Sequence, residues 1–271
     1  MISCIIALMN REQALEKMLP SWTKVNEIKD FIIVDWSSEK PIIENKIIKE
    51  QLLKYPNIKI IRVEGEKYFY RCLAWNLAFQ NTNIENKILL KLDVDYLNIN
   101  HSWIDSLNLT SDKTLNNYFL TGCDNFMRYS FGFLLVNKYN FKQGYNENME
   151  PVWGFEDHDL YSRIRKENIY KTYEHPDIKN TQPWDGLNHI YFFNIKDYIY
   201  HIPHSEEKRF ENLKYSEKVL TKRGLNLEEG WKLALKNRIL SEKFQYWEPK
   251  KYRILTESTH YKQVEVINEN K

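Results

Sequence analysis

The stretch KILLKLDVDY, residues 87–96, begins as an apolar run and ends with two carboxylates, Asp93 and Asp95, one residue apart. Alternation along a strand predicts both on one side, with Val94 turned into the core. Carboxylates that close repel unless a cation lies between them. A Mg²⁺ or Mn²⁺ ion held by one or two carboxylates and by phosphate oxygens is a common arrangement; a solvated strand end carrying two acids is the plainer one. A second acidic group, Glu156, Asp157 and Asp159, opens a helical pattern marked by Leu160, Tyr161 and Ile164. Acids at a helix start suit its dipole and need no further role. The dipole does not explain the aromatic lead-in Trp153-Gly154-Phe155. A carboxylate beside apolar surface can have its pKa raised and serve as a base. The third group is His201 and His204, around Pro203. Such a pair is a candidate for divalent-ion ligation, while a lone pair is more often structural.

Elements of two alternating periods must position these groups. SCIIAL, FIIVDW, IKIIRVEG and KILLKLDVD are short apolar runs that predict buried strands. Between them, REQALEKMLPSW, IIENKIIKEQLLKY and YRCLAWNLAFQN carry helical spacing, the second with Ile43, Ile47, Leu52 and Leu53 on or near one face. Strand and helix in alternation predict βαβ units and a mainly parallel sheet. Such sheets bind ligands beyond the carboxyl ends of their strands, where Asp35 and the Asp93/Asp95 pair fall. After about residue 110 the pattern is mixed: NYFLTGC, FGFLLVN and DYIYHIPHS read as strands and FEDHDLYSRIRKEN as a helix. From residue 206 onward the chain reads as helical and basic. The expectation is one α/β domain over residues 1–205 with a C-terminal helical extension over 206–271.

No G-x-G-x-x-G or G-x-x-x-x-G-K follows the first strand, which argues against a dinucleotide oxidoreductase and a P-loop enzyme. The 271 residues carry a net charge of +2, too small to argue for nucleic acid as a partner. Three widely spaced cysteines, Cys4, Cys72 and Cys123, make neither a disulfide framework nor a zinc ribbon. They fit a reducing compartment. The first residues are apolar only as far as Asn10 and Arg11, with no basic start and no cleavage site. A cytoplasmic protein without a leader or spanning segment is therefore expected.

Taken together, the three groups resemble a pattern in one family. The run FGFLLVNKYNFKQGYNENMEPVWGFEDHDLYSRI, Phe131 to Ile164, resembles the core of the β-1,4-galactosyltransferases and related bacterial family-2-like transferases. The matching residues are Phe131-Gly132, Phe141, Gly144-Tyr145-Asn146-Glu147, Trp153-Gly154 and Glu156-Asp157. Upstream, KLDVDY resembles the family's Asp-x-Asp motif, VDWSSEKP its aspartate turn after the second strand, and YRCLAWNLAF its Arg-x-x-Ala-x-Asn helix. Downstream, HIPHS resembles its metal-binding segment. The likeness spans roughly residues 3–210. It departs at Phe133, Gln143 and Phe155, where the family often has glycine.

The resemblance implies a GT-A fold, Rossmann-like, and an inverting transfer of a hexose or N-acetylhexosamine from a UDP-sugar to a saccharide hydroxyl. Asp35 would bond the uracil, and Asn10 and Arg11 would line the same pocket. Arg71 would lie near the nucleotide or its phosphates. Asp95, His201 and His204 would hold the metal, Mn²⁺ or Mg²⁺, and Asp93 would meet the ribose or a metal-bound water. Asp157 matches the position of the base, and Glu156 would orient donor or acceptor hydroxyls. Trp153 and Tyr145 would stack on the acceptor ring or pack beneath the loop. Ser130 stands where a bulky tyrosine crowds the sugar's 2-position in vertebrate-type enzymes, so UDP-GalNAc is expected to be accepted beside UDP-Gal. Synthesis of polysaccharide or lipopolysaccharide on a saccharide or lipid-linked acceptor is the family's usual task. The cations Lys208, Arg209, Lys214, Lys218, Lys222 and Arg223 read first as a solvated helix face, and second as a peripheral contact with anionic lipid. A metal-dependent hydrolase and a non-catalytic nucleotide-sugar-binding protein are the rival readings. The Asp35 turn and the Arg71 helix speak against the hydrolase, and the presence of Asp95 and Asp157 against the binding protein.

Overall fold

The computed structural model describes residues 1–106, 119–124, 128–138, 141, 144–149, 156, 157, 159, 160, 163, 178–180, 191–194, 199–201, 227–243, 247 and 249–267. Seven elements alternate at its start: β1 (Ile2–Leu8), α1 (Glu12–Trp22), β2 (Ile28–Trp36), α2 (Lys46–Lys54), β3 (Ile58–Glu64), α3 (Arg71–Gln80) and β4 (Ile88–Leu92). Then follow β5 (Tyr96–Asn98), α4 (Trp103–Ser106), β6 (Phe119–Asp124), β7 (Arg128–Asn137), β8 (Ile178–Asn180), β9 (Tyr191–Asn194), β10 (Ile199–His201), α5 (Leu227–Lys243), β11 (Tyr252–Glu257) and β12 (Tyr261–Val266).

The order in the main sheet is β11-β12-β3-β2-β1-β4-β7-β6-β9-β8. The pairs from β12 through β3, β2 and β1 to β4 are parallel, as the alternation predicts, and β4 meets β7 antiparallel. Period two divides each strand between two cores. On one face Cys4, Ile6, Leu8, Leu90 and Leu92 pack with Leu15, Met18, Leu19 and Trp22 of α1. On the other, Ile5, Ala7, Val34 and Leu89 pack with Leu73, Ala74, Leu77 and Ala78 of α3. Helix α3 is buried on almost every side, from Cys72 to Ala78. The same core takes in Phe141 and Tyr145 and, from the β11–β12 hairpin, Tyr252, Val264 and Val266.

Two expectations are corrected here. The buried face of α2 is Ile48 and Leu52, while Ile47 is 41% and Leu53 87% exposed. Asn45 caps this helix by accepting from the Ile47 and Ile48 amides, and Ile42–Glu44 is a separate 3₁₀ turn. The break shifts the helical phase that a continuous reading had assumed. In the C-terminal segment, α5 is helical as expected, but Tyr252–Val266 is a β-hairpin whose second strand pairs parallel with β3. It completes the first domain's sheet. Among the described residues no helix is long and apolar enough to cross a membrane. The basic cluster from Lys208 to Arg223 lies outside the described residues.

Candidate active site

Strand β4 ends at Leu92, and residues 93–95 form a turn. The amide of Asp93 donates to the Gly132 carbonyl at 2.8 Å, and the Tyr96 amide to the Asp93 carbonyl. The acid pair therefore does not lie on one side of a strand, as alternation had suggested. Val94 does point into the core. Each carboxylate has its own cation. Asp93, with a side chain 46% exposed, pairs with Lys91 at 3.0 Å. Asp95 is mostly buried and accepts from Arg11, just before α1, at 3.1 Å. Gly132 is what admits the turn: a Cβ there would overlap the Tyr96 ring and stand against Asp93 Oδ2.

Lys91 follows the α3-facing alternation of β4, and its ammonium lies 4.8 Å from the Trp75 ring centre. It is only 3% exposed. Burial works against its charge, but Asp93 and then Asp157 more than offset this and raise its pKa. Arg71, at the start of α3, pairs with Glu156 at 2.8 Å. Burial opposes its charge too, and Glu156, Asp93 and Asp157 raise its pKa in net. Two cations from α3 and β4 thus stand among three carboxylates. Asp157 is half-buried with helical backbone. Burial, then the like charges of Glu156 and Asp93, push its pKa up to about 6, against the opposing pull of Lys91 and a hydrogen bond from Tyr145. A carboxyl group so poised is ionised at neutral pH, yet basic enough to accept a proton.

The scaffold behind Asp157 hangs on Asn76 in the middle of α3. Its side chain accepts from the Tyr145 amide at 2.7 Å and donates to the Tyr145 carbonyl and to Glu147. Glu147 also accepts from the Lys250 amide, and burial raises its pKa. Arg163 donates to the Gly144 carbonyl and to Asp159, and lies over Trp247. Gly144 has φ +62°, and a Cβ on it would overlap the Asn76 amide. Gly144→Ala is thus expected to destabilise the fold by about 2–4 kcal/mol, combining left-handed strain with a clash against fixed atoms. Equilibrium denaturation measures this; a change under about 0.5 kcal/mol would mean that the loop yields freely.

No protein-family model matches the sequence, and no curated protein sequence matches it significantly. Solved structures do match. The catalytic domain of Drosophila β1,4-galactosyltransferase 7 with xylobiose aligns over 100% of this chain and 94% of its own, at 16% identity and a TM-score of 0.55. A mutant of that enzyme with manganese, UDP-Gal and xylobiose aligns with the same coverage at 17% identity and 0.51. S. aureus TarS with UDP-GlcNAc aligns over 88% of this chain and 71% of its own, at 14% identity and 0.51. The chain has the GT-A fold.

On this GT-A sheet Asp93, Lys91, Arg71, Glu156 and Asp157 form one charged group, and Arg11 and Asp95 form a separate pair at the same turn. Strand β10 pairs with β5 so that His201 lies opposite Tyr96, one residue from Asp95. His204 and Trp153 lie outside the described residues, and of Ser130 only the backbone, on β7, is described. Asn10 has φ +57°; its amide donates to Ser38, and its side chain accepts from the Glu39 amide. It therefore holds the turn after β2. Asp35 is corrected in role. It is 0% exposed and accepts from the Ser38 and Ile42 amides and from Arg62 at 2.8 Å. It organises that turn, and a base could reach it only if the turn opened. Of the two readings of Tyr145, its burial agrees with packing beneath the loop: it is 0% exposed, with its ring edge-on to Phe141. Sequence reasoning missed the roles of Lys91, Asn76 and Gly132. A lysine in an otherwise apolar strand was the available signal for the first.

Proposed function

We propose that the protein is an inverting, metal-dependent glycosyltransferase that moves a hexose or N-acetylhexosamine from a UDP-sugar to a saccharide hydroxyl. The observation that carries this reading is Asp157, its carboxyl pKa pushed up to about 6, grouped with Lys91, Asp93, Arg71 and Glu156 beyond the end of β4. The GT-A relatives with UDP-Gal and manganese, and with UDP-GlcNAc, support the substrate class.

In this mechanism the acceptor hydroxyl gives its proton to Asp157 while its oxygen bonds to the anomeric carbon. The bond from that carbon to the diphosphate oxygen breaks, and its electron pair leaves with UDP. Attack from the opposite face turns a UDP-α-sugar into a β-linkage, through an oxocarbenium-like transition state. Arg71 holds Glu156, which orients sugar hydroxyls. Carboxylate oxygen and imidazole nitrogen suit Mn²⁺ or Mg²⁺, and the β5–β10 register brings His201 beside the acid turn. Asp95, His201 and His204 would hold that ion, and it would neutralise charge on the departing diphosphate. Arg11 pairs with Asp95, so an ion held by Asp95 would have to share or replace that contact. By the family resemblance Ser130 stands in place of a bulkier tyrosine at the sugar's 2-position, so UDP-GalNAc would be accepted with UDP-Gal. The acceptor is a saccharide or lipid-linked saccharide in polysaccharide or lipopolysaccharide synthesis in the cytoplasm, with the Lys208–Arg223 cluster as a contact to anionic lipid.

Calorimetric titration tests this with UDP, UDP-Gal, UDP-GalNAc, UDP-GlcNAc and UDP-Glc, each with and without Mn²⁺. Metal-dependent UDP binding that disappears in Asp95→Ala is expected, with UDP-Gal and UDP-GalNAc the tightest sugars. Absence of UDP binding under any metal would remove the donor assignment. Strong preference for UDP-Gal over UDP-GalNAc would remove the role given to Ser130.

A further inference from the structure

Tyr145 is a phenol buried among apolar groups, and its hydroxyl donates to Asp157 Oδ1 at 3.0 Å. Its backbone has no freedom to let that contact drift. The Tyr145 amide and carbonyl both bond to Asn76, and Arg163 holds the carbonyl of the preceding glycine. The ring is set edge-on against Phe141, itself edge-on to Phe79. A buried hydroxyl is costly unless it is paired. A phenylalanine would fill the same space with no polar group to satisfy. The position is over-determined, and what it delivers is one proton donor at one oxygen of Asp157.

We propose that Tyr145 is a positioning residue: its hydroxyl fixes the Asp157 carboxylate and keeps it ionised, leaving Oδ2 to take the acceptor's proton. This rests on the reading of Asp157 as the base. Among the described residues the side-chain hydrogen bond to Asp157 is the one from Tyr145 to Oδ1, which distinguishes the two oxygens. The described groups facing Asp157 are Lys91 and Asp93 at the end of β4, Arg71 and Cys72 of α3, Glu156 beside it and Tyr145 itself. Lys91 and Tyr145 favour the ionised form, and Glu156 and Asp93 oppose it. Tyr145 is the one of these six that acts on Asp157 as a neutral donor. Its loss changes proton affinity without changing the site's net charge.

The test compares wild type with Tyr145→Phe in the full chain. The Asp157 carboxyl is followed by carbon-13 resonance against pH, with its signal identified by its disappearance in Asp157→Asn. In parallel, release of UDP from UDP-Gal with Mn²⁺, water serving as the acceptor, is recorded across the same pH range. The wild-type midpoint is expected near 6. In Tyr145→Phe it should rise by roughly one pH unit, because a hydrogen bond to a charged acceptor is lost. The acid limb of UDP release should move with it while the donor KM stays put. An unmoved midpoint in a folded Tyr145→Phe overturns the inference. Should that variant not fold, 3-fluorotyrosine at position 145 is a stronger donor and must lower the midpoint; a midpoint that stays or rises then overturns it. Asp157→Asn that still releases UDP at the wild-type rate overturns the base assignment instead, whatever Tyr145 does.

Discussion

Asp157→Asn is expected to lower sugar transfer by roughly 10²–10⁴-fold at neutral pH, the usual contribution of a positioned base. UDP binding should survive, because the carboxamide keeps the side chain's shape and an acceptor for the Tyr145 hydroxyl. The effect is therefore expected in kcat and not in donor KM. In the wild type the rate should climb with pH through about 6, since the carboxyl is protonated below that value and cannot accept a proton. The measurement is a pH-rate profile of UDP release by both proteins from UDP-Gal with Mn²⁺, water serving as the acceptor. A variant with wild-type turnover would take the base role away from Asp157.

Lys91→Met is expected to have the second largest effect. The ammonium is buried over Trp75, pairs with Asp93 and is the strongest influence favouring the ionised form of Asp157. Methionine keeps the length and the contact with the ring but removes the charge. The sign follows directly: with the cation gone, the charged form of Asp157 is less favoured and its pKa rises. The acid limb should move up by roughly one to three pH units, the shift typical for a nearby opposite charge. At pH 7 activity then falls by about twofold for a one-unit shift and about tenfold for two, and it recovers as pH rises. Recovery at high pH separates this effect from simple loss of structure. A profile that falls without shifting would mean that Lys91 serves the fold alone.

The alternation of apolar strand and helix made the first half of the sheet legible, because each strand from β1 to β4 is buried on both faces and its neighbours in sequence cover it. The acidic positions were legible by type. Their arrangement was not: Asp93 and Asp95 sit in a turn whose shape depends on Gly132, a strand away. The role of Asp35 was hidden for a similar reason, since Arg62 on β3 and the Ile42 amide reach it only after the strands pair. The hairpin Tyr252–Val266 has almost no buried face, with Val264 as its fully buried residue. Its partner strand lies about two hundred residues earlier, as the pairing of Lys262 with Ile61 illustrates. No local period reports such a partner. Tyr145 and Asp157 are twelve residues apart, and Asn76, which neither neighbours in sequence, holds the Tyr145 backbone where its hydroxyl reaches Asp157.

That late hairpin also sets a timetable. β12 closes the free edge of β3, Lys250 bonds Glu147, and Trp247 lies against Arg163. A ribosome adds residues from the amino end, so β1 to β4 emerge and can pair long before residues 247–266 exist. Until then β3 is an open strand edge, a ready partner for another chain. The loop that carries Tyr145 also lacks its outer brace. The strands that lead to Asp93 and Asp95 are written early and Asp157 and the hairpin later, so the nascent protein spends most of its synthesis with a partial sheet and an unfinished candidate site.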